Sequence, residues 1–357
     1  MKRRTTHIIP LLRVVAAAIL AIMPAREGVM AYDFLWDVDF GSVFDNREGD
    51  DNIMPAKTII FTQLSPEIGI GFNGGRDALK GGVVWTQPIG CEWDGAKVAP
   101  TLYYQHTGPR WRFAMGMLPR HLMREELPDF LWSDSLTYYQ RNIRGVLVGY
   151  DSPDGFLEAY LDWRGLQSKT RREAFNIVFH GQYAPQGKTF LAGGHVMMNH
   201  YALTEDAPDD QHIVDNFMIH PYAGINITGS TPLDSISARA GPLLTIERNR
   251  AHDHWRTPLG AWLEVKARWK WLGVSNTLYA GGAQMPSFRE FGSQLYQGEP
   301  YYQCSFYDRV RVFADIIRNN TVDLRAELDF NFTGNTFIFY QKITLGVNLG
   351  GKVRPGR

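Results

Sequence analysis

The chain has 357 residues, 44% hydrophobic and 21% charged, with 37 Lys/Arg against 37 Asp/Glu. That balance excludes the basic footprint of a nucleic-acid binder, and two cysteines exclude a disulfide-stapled scaffold. Beyond the N-terminal leader no apolar run reaches the roughly eighteen residues that a membrane helix needs, so only strands could take this chain across a bilayer.

The leader comes first in the chain. Lys2, Arg3 and Arg4 precede an apolar stretch from Val14 to Met23, and Val29-Met30-Ala31 fits the small-x-small pattern of a signal-peptidase site. Residues 1–31 are therefore expected to be a removed signal peptide, and 32–357 a single β-barrel domain, since no linker or composition shift divides them. The leader takes five Lys/Arg (Lys2, Arg3, Arg4, Arg13, Arg26) and Glu27 with it, which leaves a mature charge of about −4.

Strands follow to the C-terminus. Segments with a period of two are predicted at 32–42, 57–72, 78–90, 96–107, 110–118, 143–151, 154–165, 172–184, 188–202, 213–228, 234–248, 257–271, 272–283, 302–317, 320–333 and 336–349. In 321–332, Val322, Leu324, Ala326, Leu328, Phe330 and Phe332 share one face and Asp323, Arg325, Glu327, Asp329 and Asn331 the other. In 259–271, Leu259, Ala261, Leu263, Val265 and Ala267 oppose Glu264, Lys266 and Arg268.

The connections alternate in length. Tight turns such as Asn73-Gly74-Gly75-Arg76-Asp77 and Ala184-Pro185-Gln186-Gly187 follow even-numbered strands, while long polar loops at 43–56, 119–142, 203–212, 249–256 and 284–301 follow odd-numbered ones. A soluble sandwich has no reason to keep that parity, and short turns on one side with long loops on the other are a feature of membrane barrels. Trp111, Trp163, Trp269, Trp271, Phe330, Phe332, Phe337 and Phe339 sit on apolar faces toward strand ends, where girdles of aromatic rings meet the lipid interface. The fold class is thus all-β: a closed antiparallel up-and-down transmembrane β-barrel of about 16 strands, free of exposed edges and with a polar lumen.

On this reading Arg239, Glu247, Glu264, Lys266, Arg268, Asp323, Arg325, Glu327 and Asp329 line the pore. The longest connection, 119–142, carries Arg120, Arg124, Glu125, Glu126, Asp129 and Asp134 around apolar Leu127, Phe130, Leu131 and Trp132. A loop in solvent gains little from such apolar side chains, whereas one folded against the inner wall can bury them; an extracellular loop packed on its neighbours is the alternative.

The strand count, the parity of connections and the long loop after the fifth strand resemble the general diffusion porins of bacterial outer membranes, over essentially the whole mature chain. The resemblance implies that 119–142 folds inward as a constriction loop. Two departures mark a divergent barrel: Leu127-Pro128-Asp129-Phe130 stands where porins often carry a Pro-Glu-Phe-Gly-Gly turn, and the chain runs past its last predicted strand into Gly350-Gly351-Lys352-Val353 instead of ending on an aromatic residue.

No Gly-rich phosphate loop, Gly-x-Ser-x-Gly elbow or dinucleotide fingerprint occurs. His180, His195 and His220 fall on polar faces and His252-x-His254 in a loop, without ligand spacing, so no metal and no cofactor is expected. His195, Asn199 and Ser237 could be recruited into a catalytic constellation, but a polar lumen supplies such triplets by chance. Cys91 and Cys304 are expected at one end of the barrel, either bridged or as separate thiols.

The leading expectation is an outer-membrane channel, not an enzyme, for passive diffusion of small hydrophilic solutes. Its partners are the lipid bilayer, the barrel-assembly machinery and further copies of itself in a homo-oligomer, and not nucleic acid. The alternatives are a barrel enzyme, adhesin or scaffold with a blocked lumen, and a soluble exported β-rich protein that binds or cleaves glycans.

Overall fold

A strand with one apolar and one polar face can enter lipid only if every backbone group is paired, which forces the sheet to close on itself. In the computed structural model, which describes residues 32–49, 53–251, 254–334 and 336–353, it does so. Sixteen antiparallel strands form one closed barrel in which each pairs with its neighbours in the chain and the last returns to the first. The strands are β1 (Asp33–Glu48), β2 (Lys57–Phe72), β3 (Asp77–Pro88), β4 (Lys97–Thr107), β5 (Trp111–Pro119), β6 (Asn142–Ser152), β7 (Gly155–Gly165) and β8 (Ala174–Tyr183). They continue as β9 (Phe190–Tyr201), β10 (Val214–Asn226), β11 (Ser235–Asn249), β12 (Leu259–Trp269), β13 (Leu272–Gly281), β14 (Phe306–Arg318), β15 (Val322–Thr333) and β16 (Thr336–Val353). The signal-peptide expectation lies outside the described residues.

The barrel has a turn end, which also holds Asp33 and Val353, and a loop end. At the turn end the β2–β3 connection is closed by Asn73, Gly74 and Gly75, all with positive φ, the conformation these residues adopt most cheaply. Large apolar side chains cover the outer wall, among them Phe34, Trp111, Leu157, Phe179, Trp269, Trp271 and Phe337. No helix of the described residues is long and apolar enough to cross a membrane.

Three boundaries differ from the sequence reading by four residues or more. β1 runs to Glu48, not 42, because Val43, Asp45 and Arg47 keep facing inward while the strand pairs on both sides. β16 runs to Val353 through Gly350-Gly351-Lys352, which pair with Asp37, Trp36 and Leu35. β14 begins at Phe306, not 302, since Pro300–Gln303 form a 3-10 turn inside the barrel. Cys91 and Cys304 are both free thiols, so the bridged alternative falls.

The buried apolar core is inside the lumen at the loop end, not between layers. Phe130, Leu131, Leu295, Tyr296, Tyr301 and Tyr302 from two connections pack against inward-facing Trp262, Tyr279, Tyr307 and Tyr340.

Candidate functional site: a lumen narrowed by two loops

The first infolded connection joins β5 to β6. Beyond Pro119 a 3-10 turn (Arg120–Leu122) sends it inward, and Ser133 starts the short helix α1 (Asp134–Tyr139), its Oγ accepting from the Leu136 N–H at 3.4 Å. Phe130 and Leu131 are fully buried, and burial of each such side chain is worth about 1.5–3 kcal/mol, which offsets the cost of ordering the loop. The Phe130 ring meets His220, Trp262 and Tyr302 edge-on at 5.0, 5.7 and 5.9 Å.

Charges fasten α1 across the lumen. Asp134 accepts from Arg309 Nη2 and Lys342 Nζ, both at 2.6 Å, and these two cations also hold Asp329 at 2.7 and 2.5 Å. Arg311 bridges Glu327 and Asp329 at 3.1 Å each. Burial alone would raise the Asp134 carboxyl, but Arg309, Lys342 and Arg311 outweigh it and hold the group well below the usual carboxylate range. At the helix's far end the Tyr138 hydroxyl donates to Asp45 at 3.1 Å, and Gln63 Nε2 donates to the Tyr138 carbonyl at 2.8 Å.

The second infolded connection joins β13 to β14 and contains the single-turn helix α2 (Phe288–Phe291). Tyr296 donates to Glu247, Asn176 donates to Gln297 at 2.8 Å, and the Trp262 indole donates to the Tyr302 hydroxyl at 3.1 Å. The two connections are tied to each other. Ser133 N–H donates to the Gln297 carbonyl, Glu299 N–H to the Asp129 carbonyl, Asp134 N–H to Glu299 Oε1 and the Tyr302 hydroxyl to Asp129, all at 2.6–2.8 Å. Burial, helped by the neighbouring Asp134 charge, pushes the Glu299 carboxyl up.

A cavity of about 660 Å³ remains between the β5–β6 connection and the wall. Its lining includes Asp39, Glu67, Glu125, Glu126, Asp129 and Glu264 together with Arg120, Arg124, Arg141, Arg239, Lys266 and Arg309.

The residues singled out from the sequence distribute as follows. Arg239 lies 3.7 Å from Glu125 and 4.0 Å from Glu264, and Lys266 is paired with Glu264 at 2.9 Å. Arg268 and Arg325 both hold Asp315 at 2.7 Å, lower in the barrel, and strand alternation puts Asp323 on the same inner face as Arg325. Glu247, Glu327 and Asp329 are sequestered by the loop anchors and are not free wall charges. In the β5–β6 connection, Arg120 pairs with Asp162 at 2.5 Å, the Arg124 backbone N–H donates to Glu158, and Glu126 is exposed in the cavity.

Two features were not anticipated. The β13–β14 connection was expected as a long polar loop outside, although Leu295, Tyr296, Tyr301 and Tyr302 gave it the same apolar content that singled out 119–142. And His180, His195 and His220 stand in one cross-strand row, paired in register across β8, β9 and β10, with stacked rings 6.1 and 5.6 Å apart and Glu158 on His180 at 2.9 Å. No group of three or more His, Cys, Asp or Glu among the described residues could hold a metal ion.

Sixteen antiparallel strands closed around a polar lumen, narrowed by an infolded connection after the fifth, define a porin-like transmembrane barrel. The chain belongs to the Lipid A 3'-O-deacylase-type family, whose model matches residues 31–350. Among solved structures it is similar to the outer membrane protein OpdK of Pseudomonas aeruginosa (9% identity, TM-score 0.51, 89% of this chain and 99% of that one). It is also similar to OccK2 (OpdF) of the same organism (10% identity, TM-score 0.51, 89% and 98%) and to a variant of the Rhodopseudomonas blastica porin (9% identity, TM-score 0.47, 88% and 100%). A search of curated proteins finds no match.

Proposed function

We propose that this protein is an outer-membrane channel through which small hydrophilic solutes diffuse, with the β5–β6 connection as its constriction. The observation that carries the reading is that connection's course: it crosses the lumen, is bolted to β14–β16 through Asp134, and leaves a charged, water-accessible cavity beside it. Sixteen strands enclose enough space for an aqueous channel, and the cavity beside the two infolded connections is what remains of it. Arg239, Glu264 and Lys266 then face passing solute, with Arg268, Asp323 and Arg325 below them. Deleting 124–135 is expected to raise single-channel conductance in planar bilayers and to admit larger sugars in liposome swelling. A deletion variant that assembles and leaves both quantities unchanged would rule out the constriction.

A second reading, deacylation of lipid A, comes from the family's name and from one outward-facing group of residues. Esters are cleaved with help from a base that activates the attacking oxygen. On the lipid-facing side of the loop end, His200 Nδ1 lies 3.5 Å from Asp215 Oδ1, Arg250 grips both oxygens of that carboxylate at 2.8 and 3.2 Å, and the Phe175 ring lies tilted beside the imidazole at 4.9 Å. If the reading holds, purified protein releases fatty acid from lipid A and His200→Ala abolishes the release. No release by the native protein would dismiss it.

A further inference from the structure

The inner wall carries, at β2–β4, two buried polar atoms that the protein itself leaves unused. Glu67, Gly82 and Thr101 form one cross-strand row, and Gly82 lets β3 approach β2 so closely that a Cβ there would lie 2.1 Å from the Pro66 carbonyl oxygen. Glu67 is 6% exposed and Thr101 4%, and both line the cavity. Glu67 Oε2 accepts from the Tyr103 hydroxyl at 2.9 Å, but Oε1 has no partner, and neither has Thr101 Oγ1. A buried carboxylate oxygen without a donor is costly, so a ligand that supplies one is favoured there. The nearby wall cation, Lys80, is taken up by Asp37 at 2.5 Å and does not fill the role.

On the same cavity the β5–β6 connection presents the opposite chemistry. His121 and Arg141 line the same cavity, His121 within electrostatic reach of Asp39 and Glu67 and Arg141 within reach of Asp39. The Arg141 guanidinium makes no hydrogen bond or ion pair among the described residues. A simple cation would meet repulsion from this side, and a simple anion from Asp39 and Glu67 on the other. A molecule with an ammonium at one end and a carboxylate at the other satisfies both.

We propose that the cavity binds zwitterionic amino-acid-type solutes, the ammonium held by Glu67 and Thr101 and the carboxylate by Arg141. The proposal rests on the channel reading for access from solution and names the solute class of that site.

The test is calorimetric titration of the full protein in detergent micelles with glycine, β-alanine and γ-aminobutyrate, against ethylamine and propionate as the separate halves. At least one zwitterion is expected to bind about tenfold more tightly than either half, as one added charge-assisted hydrogen bond allows. Glu67→Gln and Arg141→Gln are each expected to remove that advantage, and Thr101→Val to reduce it. Thr101→Val and Arg141→Gln serve as the readouts if Glu67→Gln fails to show the heat-modifiable mobility of a folded barrel. Zwitterions that bind no better than their halves, or folded variants that bind like the native protein, would overturn the proposal. Binding in micelles needs no conduction, so a missing conductance would remove the channel reading alone.

Discussion

Gly298 and Phe130 meet main chain to main chain: a Cβ on Gly298 would lie 2.1 Å from the Phe130 carbonyl oxygen and 2.4 Å from its carbon. The two infolded connections meet here through their backbones, and no side chain can swing aside to make room. Gly298→Val is therefore expected to part the connections while leaving the sixteen strands paired. Heat-modifiable mobility should persist, and single-channel conductance should rise. A folded variant with native conductance would show that this junction does not narrow the lumen.

Asp134 gives a pH window with a definite sign. Its carboxyl is held well below the usual range in the folded chain, against about 3.9 for an unperturbed Asp. A depressed folded value stabilises above the unfolded value and loses that contribution as pH falls through the folded one. The anchor should therefore be unaffected from pH 7 down to about pH 5, well above the unperturbed value, and fail only in strong acid. Asp134→Asn removes one partner from a buried ion network, which costs about 3–5 kcal/mol when the remaining charges stay buried. Urea titration of the two proteins at pH 7 and pH 5 checks both statements, since the difference between them should be the same at either pH.

The outer and inner faces of β12 should respond oppositely to charge. Leu263 and Trp262 are successive residues, with Trp262 buried inward and Leu263 on the lipid side. Leu263→Arg near the bilayer midplane should cost about 2–4 kcal/mol, whereas Lys266→Ala, which breaks a half-exposed pair with Glu264, should cost less than about 1 kcal/mol. Equal losses in liposome urea titrations would contradict the assignment of faces.

Ion selectivity should be weak. Carboxylates and Lys/Arg line the cavity in equal numbers, and it is rings of a single sign that make selective filters. Reversal potentials under a salt gradient measure this directly, and a strong preference for either sign would mean that other residues set the narrowest passage.

Much of the architecture was legible because membrane strands announce themselves through a period of two that lipid enforces on one face and water on the other. Where that contrast fades, so did the reading. Ser42, Asn46 and Glu48 put polar groups on the outward side of β1, and Gly350-Gly351-Lys352 leave β16 without apolar alternation, so both strands looked shorter than they are. The imidazole row was unreadable for a different reason: each histidine could be placed on an inner face, but bringing three into one row depends on the register set by the 184–189 and 202–213 connections. The infolding of the β13–β14 connection was legible in principle, since Leu295, Tyr296, Tyr301 and Tyr302 make no sense in solvent. The partners of these tyrosines, Glu247, Tyr340 and Asp129, come from distant strands and a second loop, and no local pattern announces such meetings.

The seam between β1 and β16 differs from every other joint in the barrel, because each remaining pairing is a hairpin between chain neighbours. The hairpins close loops of at most about two dozen residues, whereas this joint closes nearly the whole chain at once and carries the greatest loop-closure entropy of the sixteen. It also brings the ends together, with Phe34 opposite Val353. Linking those ends and reopening the chain in the β14–β15 turn would turn the seam into an ordinary hairpin and move the long-range closure elsewhere. Such a circular permutant should keep every strand pair of the barrel but fold in a different order.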